Sequence, residues 1–89
     1  MSIAARKFTE RLPVDLCSYE MGIDPDGDIS FDWSLSPKWC TSVSIAPNGQ
    51  IAYAAMAGDS SDHYSGDFND GAFMEKLFND IRRIIDHDA

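Results

Sequence analysis

Carboxylates are the side chains in this sequence whose number and spacing could support binding or catalysis. Five occur in one short segment: Glu20, Asp24, Asp28 and Asp32 share one parity on two adjacent predicted strands, and Asp26 lies at the tip of the turn between them. On a strand, residues i and i+2 lie on one side about 6.6 Å apart, close to the roughly 7 Å between neighbouring phosphates along one DNA strand. Like charges placed opposite each other destabilise a sheet. The pattern therefore favours a binding surface, with an ordinary solvated sheet face as the alternative.

A second group of acids consists of Asp59, Asp62, Asp67 and Asp70. The first three lie in residues 58–69, a segment without lysine or arginine, and Asp70 follows it directly. The segment has turn-forming residues and no apolar period, which predicts an exposed loop. Its aromatic residues, Tyr64 and Phe68, would either anchor a partner or fold under the loop. Asp59, Asp62 and Asp67 are thus further candidates for partner binding, with a flexible acidic loop as the alternative.

Metal chemistry finds little support in the residue spacing. A calcium loop starting at Asp24 would need glycine at its sixth position and an acid at its twelfth, but glycine is fourth and Leu35 is twelfth. Cys17 and Cys40 differ in strand parity and match no zinc spacing, which predicts two free thiols. We therefore expect no metal ligands and no cofactor, and a plain turn after Asp24.

Catalytic chemistry is also poorly supported. Asp62 and His63 could act together as a general base for a neighbouring serine, but a triad needs a scaffold that holds its members and an oxyanion hole. No Gly-x-Ser-x-Gly segment and no glycine-rich phosphate loop occurs. The sequence predicts a protein that is not an enzyme and has no catalytic residues.

The charge balance indicates the kind of partner. The chain carries fifteen acids and seven bases, a net charge of −8, and residues 14–89 alone carry −10. Direct nucleic-acid binding is disfavoured because it requires bases that displace counterions. A basic protein surface would instead be attracted, with solubility alone as the alternative.

Length and hydropathy set the remaining expectations. The 89 residues fit a single domain over residues 1–89. No apolar run reaches the length of a membrane span, and the N-terminus lacks the pattern of a signal peptide. We expect a monomer in the cytoplasm of a bacterial host cell, without membrane contact.

Two matching segments indicate hairpins. Residues 24–29 (DPDGDI) and 46–51 (APNGQI) both read X-Pro-(Asp/Asn)-Gly-X-Ile, the pattern of a type I turn closed by a glycine bulge. That turn places Ile23 opposite Ile29 and polar residues opposite each other on the other face. Residues 16–57 are therefore predicted to form a four-stranded antiparallel meander with one apolar face.

Helices are predicted at both ends. Apolar residues between Ile3 and Leu12 indicate a short helix that stops before Pro13. Residues 73–85 have apolar side chains at helical spacing, and Asp70 is the predicted N-cap. We therefore expect an α+β fold, a four-stranded antiparallel meander sheet with an N-terminal helix and a C-terminal helix packed on its apolar face.

The hairpin segments resemble a pattern in small bacterial and phage-borne proteins of unassigned role. Residues 25–33 (PDGDISFDW) and 41–53 (TSVSIAPNGQIAY) carry the resemblance. The pattern has proline, an acid and glycine, a strand ending in aromatic residues and an acid, and a second strand with a Pro-Asn-Gly turn. Because these motifs are structural, the resemblance supports the hairpins more than any activity.

In size, acidity and lack of catalytic residues, the chain resembles the anti-CRISPR proteins of phages and mobile elements. The nearest group acts on type I systems, with type I-C as the subtype considered. That family has no common motif, so no residue is carried over by alignment. The resemblance implies an inhibitor that binds the basic DNA-binding surface of a type I CRISPR effector complex through acids and blocks target DNA recognition. The alternative is an antitoxin or immunity protein that neutralises a basic nuclease-like toxin.

Overall fold

The architecture is α+β, with a five-stranded antiparallel sheet in the order β1-β2-β3-β4-β5. The computed structural model describes residues 3–86, apart from the side chain of Ala4. In chain order the elements are α1 (Ile3–Arg11), a 3-10 turn (Val14–Leu16), β1 (Glu20–Ile23), β2 (Ile29–Ser36), β3 (Trp39–Ile45), β4 (Ile51–Ala57), β5 (Ser60–Gly66) and α2 (Gly71–Ile85).

The two predicted hairpin turns are confirmed. Gly27 and Gly49 both have a positive φ, 94° and 92°, which glycine adopts without steric cost. The register also agrees with the prediction, since Ile23 pairs with Ile29 and Ile45 pairs with Ile51. The turn chemistry thus sets which side chains share a face within each of the two hairpins.

The prediction of four strands is wrong, because residues 60–66 of the expected loop form a fifth strand. A two-residue turn joins β4 to β5, with Gly58 at φ 65° and Ala57 paired with Ser60. The new strand is polar because it lies at an edge of the sheet, where backbone hydrogen bonds to β4 hold it and few of its side chains need burial. Tyr64 is the half-buried exception, with its ring 5.2 Å from that of Tyr53.

The first hairpin is shorter than predicted. The ladder begins at Glu20, whereas the meander was expected to begin near residue 16. The chain instead makes the 3-10 turn, and the indole nitrogen of Trp33 donates a buried 3.0 Å hydrogen bond to the carbonyl of Leu16. Cys17 therefore lies outside the sheet, exposed and with a free thiol, as Cys40 also has.

One face of the sheet supplies the core. α2 contacts β2, β3 and β4, and the ring of Phe8 in α1 lies 5.0 Å from that of Phe31. Inward positions of the strands and helices are almost completely buried, namely Phe8, Leu16, Ile29, Phe31, Trp33, Val43, Ile45, Ile51, Tyr53, Ala55, Met74, Leu77, Ile81 and Ile84. The apolar residues at every second strand position and those at helical spacing therefore pack together in a single core.

A polar network crosses this core between β4 and α2. The hydroxyl of Tyr53 donates a 2.8 Å hydrogen bond to Asp80, which is only 9% exposed. Lys76 donates to the same carboxylate at 3.1 Å, and Arg83 lies 3.9 Å from its other oxygen. Burial, and next the hydrogen bond to Asp80, raise the pKa of Tyr53. The buried carboxylate is acceptable because it is paired and hydrogen-bonded.

Removing the Tyr53 hydroxyl should destabilise the fold. We expect Tyr53→Phe to lower the free energy of unfolding by about 1.5–3 kcal/mol, because a hydrogen bond to a charged group is lost inside the core. The measurement is urea unfolding. Tyr19→Phe is the matched control, since the Tyr19 hydroxyl has no hydrogen bond within residues 3–86. Equal effects of the two substitutions would contradict the role given to Asp80.

The ion pair between Asp15 and Arg82 should make stability depend on pH. Their side chains meet at 3.0 Å, and the hydrogen bond from Arg82 lowers the pKa of Asp15. A carboxyl whose pKa is lowered by folding stabilises the protein above its unfolded pKa, and the stabilisation is lost as pH falls through the folded pKa. Asp15→Asn should therefore be less stable than the unsubstituted protein near neutral pH and equally stable in strong acid.

Thermal unfolding across this pH range measures the difference. Glu75→Gln is the control, because it removes one exposed charge on α2 and no ion pair. A stability gap for Asp15→Asn that persists in strong acid would show that the ion pair is not its cause.

Candidate functional site

The first group of predicted acids comes together on one hairpin, which we call the acidic hairpin (residues 20–32, from β1 into β2). Glu20 lies directly opposite Asp32 in the ladder. At the turn, carboxylate oxygens of Asp24, Asp26 and Asp28 lie within 4.8 Å of one another. The structure thus concentrates five negative charges at one edge of the sheet, where like-charge repulsion opposes folding.

Two serines of β3 hold carboxylates of the acidic hairpin. Ser42 donates a hydrogen bond to Asp32, and Ser44 donates one to Asp28 across 3.5 Å. Both aspartates are half-buried. The serines were not recognised in the sequence. Ser36 pairs with Trp39, and an irregularity between Ser34 and Ser36 shifts the ladder by one residue, so that Ser42 lies opposite Asp32. The serine hydrogen bonds restrict the rotation of the two carboxylates.

The acids of the hairpin have no cationic partner in the described part of the chain. Its ion pairs involve other acids: Arg6 with Glu10, Lys38 with Asp59, Lys76 and Arg83 with Asp80, and Arg82 with Asp15. Six of the seven bases lie on α1 and α2. Five of the bases are thus paired with acids elsewhere, and the acidic hairpin keeps an uncompensated negative charge.

We call the side of the sheet that faces away from the core the outer face. One row across the five strands reads Glu20, Asp32, Ser42, Ala54 and His63. The neighbouring row reads Gly22, Ser30, Ser44, Ala52 and Ser65. Side chains no larger than serine make up the second row, so a partner could approach the backbone closely over about 19 Å of sheet width. A shallow depression of about 270 Å³ lies over β3, β4 and β5.

The second group of predicted acids does not form a cluster. Asp59 lies in the β4–β5 turn, 3.8 Å from Lys38. This acid therefore has a basic neighbour, although residues 58–69 themselves supply none. Asp67 follows the other end of β5, and seven strand residues span about 20 Å. Asp70 caps α2 as predicted by accepting a backbone N–H, and Asp62 is exposed on β5. These acids are spread along an edge rather than gathered in a loop.

The turn acids are the residues that could hold a metal ion. Asp24, Asp26 and Asp28 offer three carboxylates within reach of one ion, and Ca²⁺ prefers such oxygen ligands. Three side chains fall short of the six to eight oxygens that Ca²⁺ takes. The geometry instead serves the turn, since Asp26 accepts the backbone N–H of Asp28 at 3.3 Å.

Comparisons with known proteins add no relative. No protein family, no curated protein and no solved structure matches the chain significantly. Among the helices described, none has the length and apolar composition to cross a membrane.

Crowding of charge at the turn should be measurable as lost stability. We expect Asp26→Asn to stabilise the protein by about 0.5–1 kcal/mol, because it removes repulsion from two neighbouring carboxylates and keeps the oxygen that caps the turn. The gain in urea unfolding should shrink at high salt.

The second hairpin offers the matched control. Asn48 accepts the N–H of Gln50 in the equivalent turn at 3.0 Å, and Asn48→Asp introduces a charge into a turn that has no carboxylate of its own. We expect a smaller change in stability for Asn48→Asp. A gain for Asp26→Asn that salt does not affect would rule out repulsion as its source.

Proposed function

We propose that this protein is a stoichiometric inhibitor that binds a basic, DNA-binding surface of a protein complex through the acidic hairpin. The observation that carries the proposal is the set of five acids on one hairpin, none of which forms an ion pair within the described residues. Charges that oppose folding and have no internal compensation are expected where a partner supplies the opposite charge.

The geometry of the acids supports competition with DNA. Asp28 and Asp32 lie four residues apart along β2, about 13 Å, which is close to two phosphate intervals on one strand. Serine hydrogen bonds hold both carboxylates, so they meet a row of lysine and arginine side chains with little loss of freedom. Such a protein occupies the sites that the DNA backbone would use and excludes it.

The partner that we propose is the effector complex of a type I CRISPR system, with type I-C as the subtype to test first. Its target recognition depends on basic side chains that grip DNA, and blocking them needs no chemistry from the inhibitor. The chain's small size and net charge of −8 suit that role. A basic nuclease-like toxin presents the same kind of surface, and an antitoxin or immunity protein is therefore the second candidate.

A gel shift tests the proposal directly. Purified type I-C effector complex and labelled target DNA are mixed with and without stoichiometric amounts of this protein. We expect the shifted band to disappear, and the affinity of the inhibitor for the complex to fall as salt rises. Undisturbed DNA binding would reject this partner. Capture of a small basic nuclease from the native host would then favour the antitoxin function.

Charge removal identifies the surface responsible. Asp28→Asn with Asp32→Asn keeps an acceptor oxygen for each serine and removes two charges, so the fold should persist. We expect inhibition to weaken about tenfold or more, since two close charge pairs are lost.

Glu75→Gln with Asp86→Asn is the matched control, because it removes two exposed charges at α2 and changes the net charge equally. Equal weakening by both double variants would mean that net charge acts, and not the acidic hairpin.

A further inference from the structure

We propose that the free edge of β1 binds an extended basic segment of the partner by strand addition, so that the sheet gains a sixth strand. The inference rests on the proposed function for the sign of the partner's charge. It adds the binding mode, in which backbone hydrogen bonds to β1 supply affinity that charge alone does not.

The backbone of β1 is ready to pair. β1 lies at one end of the strand order, so only β2 pairs with it within the described residues. Asp24 donates its N–H to Asp28 at 2.8 Å, and hydrogen-bonded positions alternate along an antiparallel ladder. Residues 20, 22 and 24 therefore bond to β2, while Met21 and Ile23 direct their N–H and C=O groups to the open edge.

The same two residues expose apolar side chains. Met21 is 50% exposed and Ile23 is 71% exposed, although their partners in the ladder, Phe31 and Ile29, are buried. The core thus ends at β2 and leaves the inward side of β1 uncovered. Glu20 is the one charged residue of this four-residue edge strand, and the lysine and proline that often block an edge are both absent from its sequence, Glu-Met-Gly-Ile.

Charge selects the occupant. On the outer side of the edge, Glu20 and Asp24 stand at the two ends of β1, next to the other acids of the acidic hairpin. A second copy of this chain paired symmetrically about Gly22 would place Glu20 opposite Asp24 of that copy, which is destabilising. A basic strand meets the opposite situation, since its lysine or arginine side chains would lie beside these acids.

The strand period then defines the sequence of the occupant. In an added strand, alternate side chains point to opposite faces. One set packs beside Met21 and Ile23, and the other set lies on the outer face beside Glu20 and Asp24. The fitting segment therefore alternates apolar, preferably β-branched, residues with lysine or arginine, and it contains no proline in its centre.

Amide hydrogen exchange of the full chain, followed by NMR, tests the proposal. The probe is a capped peptide of four Lys-Val repeats, and the control is a peptide of equal charge with prolines in place of two valines. With the Lys-Val peptide, exchange of the Met21 and Ile23 amides should slow about tenfold or more. The amides of β5, at the opposite edge, should not change, and the proline peptide should give no protection.

A pair of variants tests the role of the edge hydrogen bonds. Met21→Pro removes an outward N–H but no bond to β2, and Met21→Thr shortens the side chain but keeps that N–H. We expect Met21→Pro to abolish peptide binding, and Met21→Thr to retain most of it. If Met21→Pro does not fold, the exchange experiment on the unsubstituted chain decides alone.

The outcomes separate this inference from the proposed function. Absence of edge protection, or equal protection by the proline peptide, would overturn strand addition while the charge-removal test of the acidic hairpin could still succeed. Protection at Met21 and Ile23 together with undisturbed effector–DNA binding would support strand addition and reject the proposed partner. Protection without peptide that rises with protein concentration, together with a dimer in sedimentation, would assign the edge to a second copy and overturn the proposal.

Discussion

Burial of one side of the sheet is the constraint on which the placement of charge in this protein depends. Side chains alternate between the two faces of a strand, so covering the row through Phe31, Val43 and Tyr53 leaves the neighbouring positions on the outer face. The acids at positions 20, 28 and 32 and the serines of β3 share that parity. The core therefore decides that the acidic hairpin presents its carboxylates to solvent.

The bases of α2 form ion pairs with other acids. α2 brings Lys76 and Arg83 to Asp80, a carboxylate that needs cations because it is buried under the sheet. Arg82 ties α2 to Asp15 beside the 3-10 turn. These contacts stabilise the docking of the helix and use its cations for acids other than those of the acidic hairpin. The five acids of the acidic hairpin are left without an ion pair within the described residues.

The acidic hairpin combines these unpaired charges with apolar side chains that the helices do not cover. Met21 and Ile23 follow the apolar pattern of the inner face but lie beyond the cover that the helices provide. Apolar side chains, open backbone groups and uncompensated acids thus occur together on four residues and the turn that follows them. This combination is what distinguishes the β1 edge from the β5 edge, where the residues are polar and Lys38 lies near Asp59.

The sequence by itself determined the features that depend on residues close in the chain. These are the two hairpin turns, the register of β1–β2 and of β3–β4, the cap at Asp70 and both helices.

Tertiary structure decided the rest. β5 has little apolar character and is held by backbone bonds to β4, although the Gly58-Asp59 pair is a local hairpin signal that could have been used. The exposure of Ile23 depends on how far the helices reach across the sheet, and the support of Asp32 by Ser42 depends on strand pairing. Contacts between residues distant in the chain are not encoded in any local pattern. The sequence therefore placed the acids on one hairpin, but only the fold showed which acids accept hydrogen bonds, which form ion pairs and which sheet edge is open.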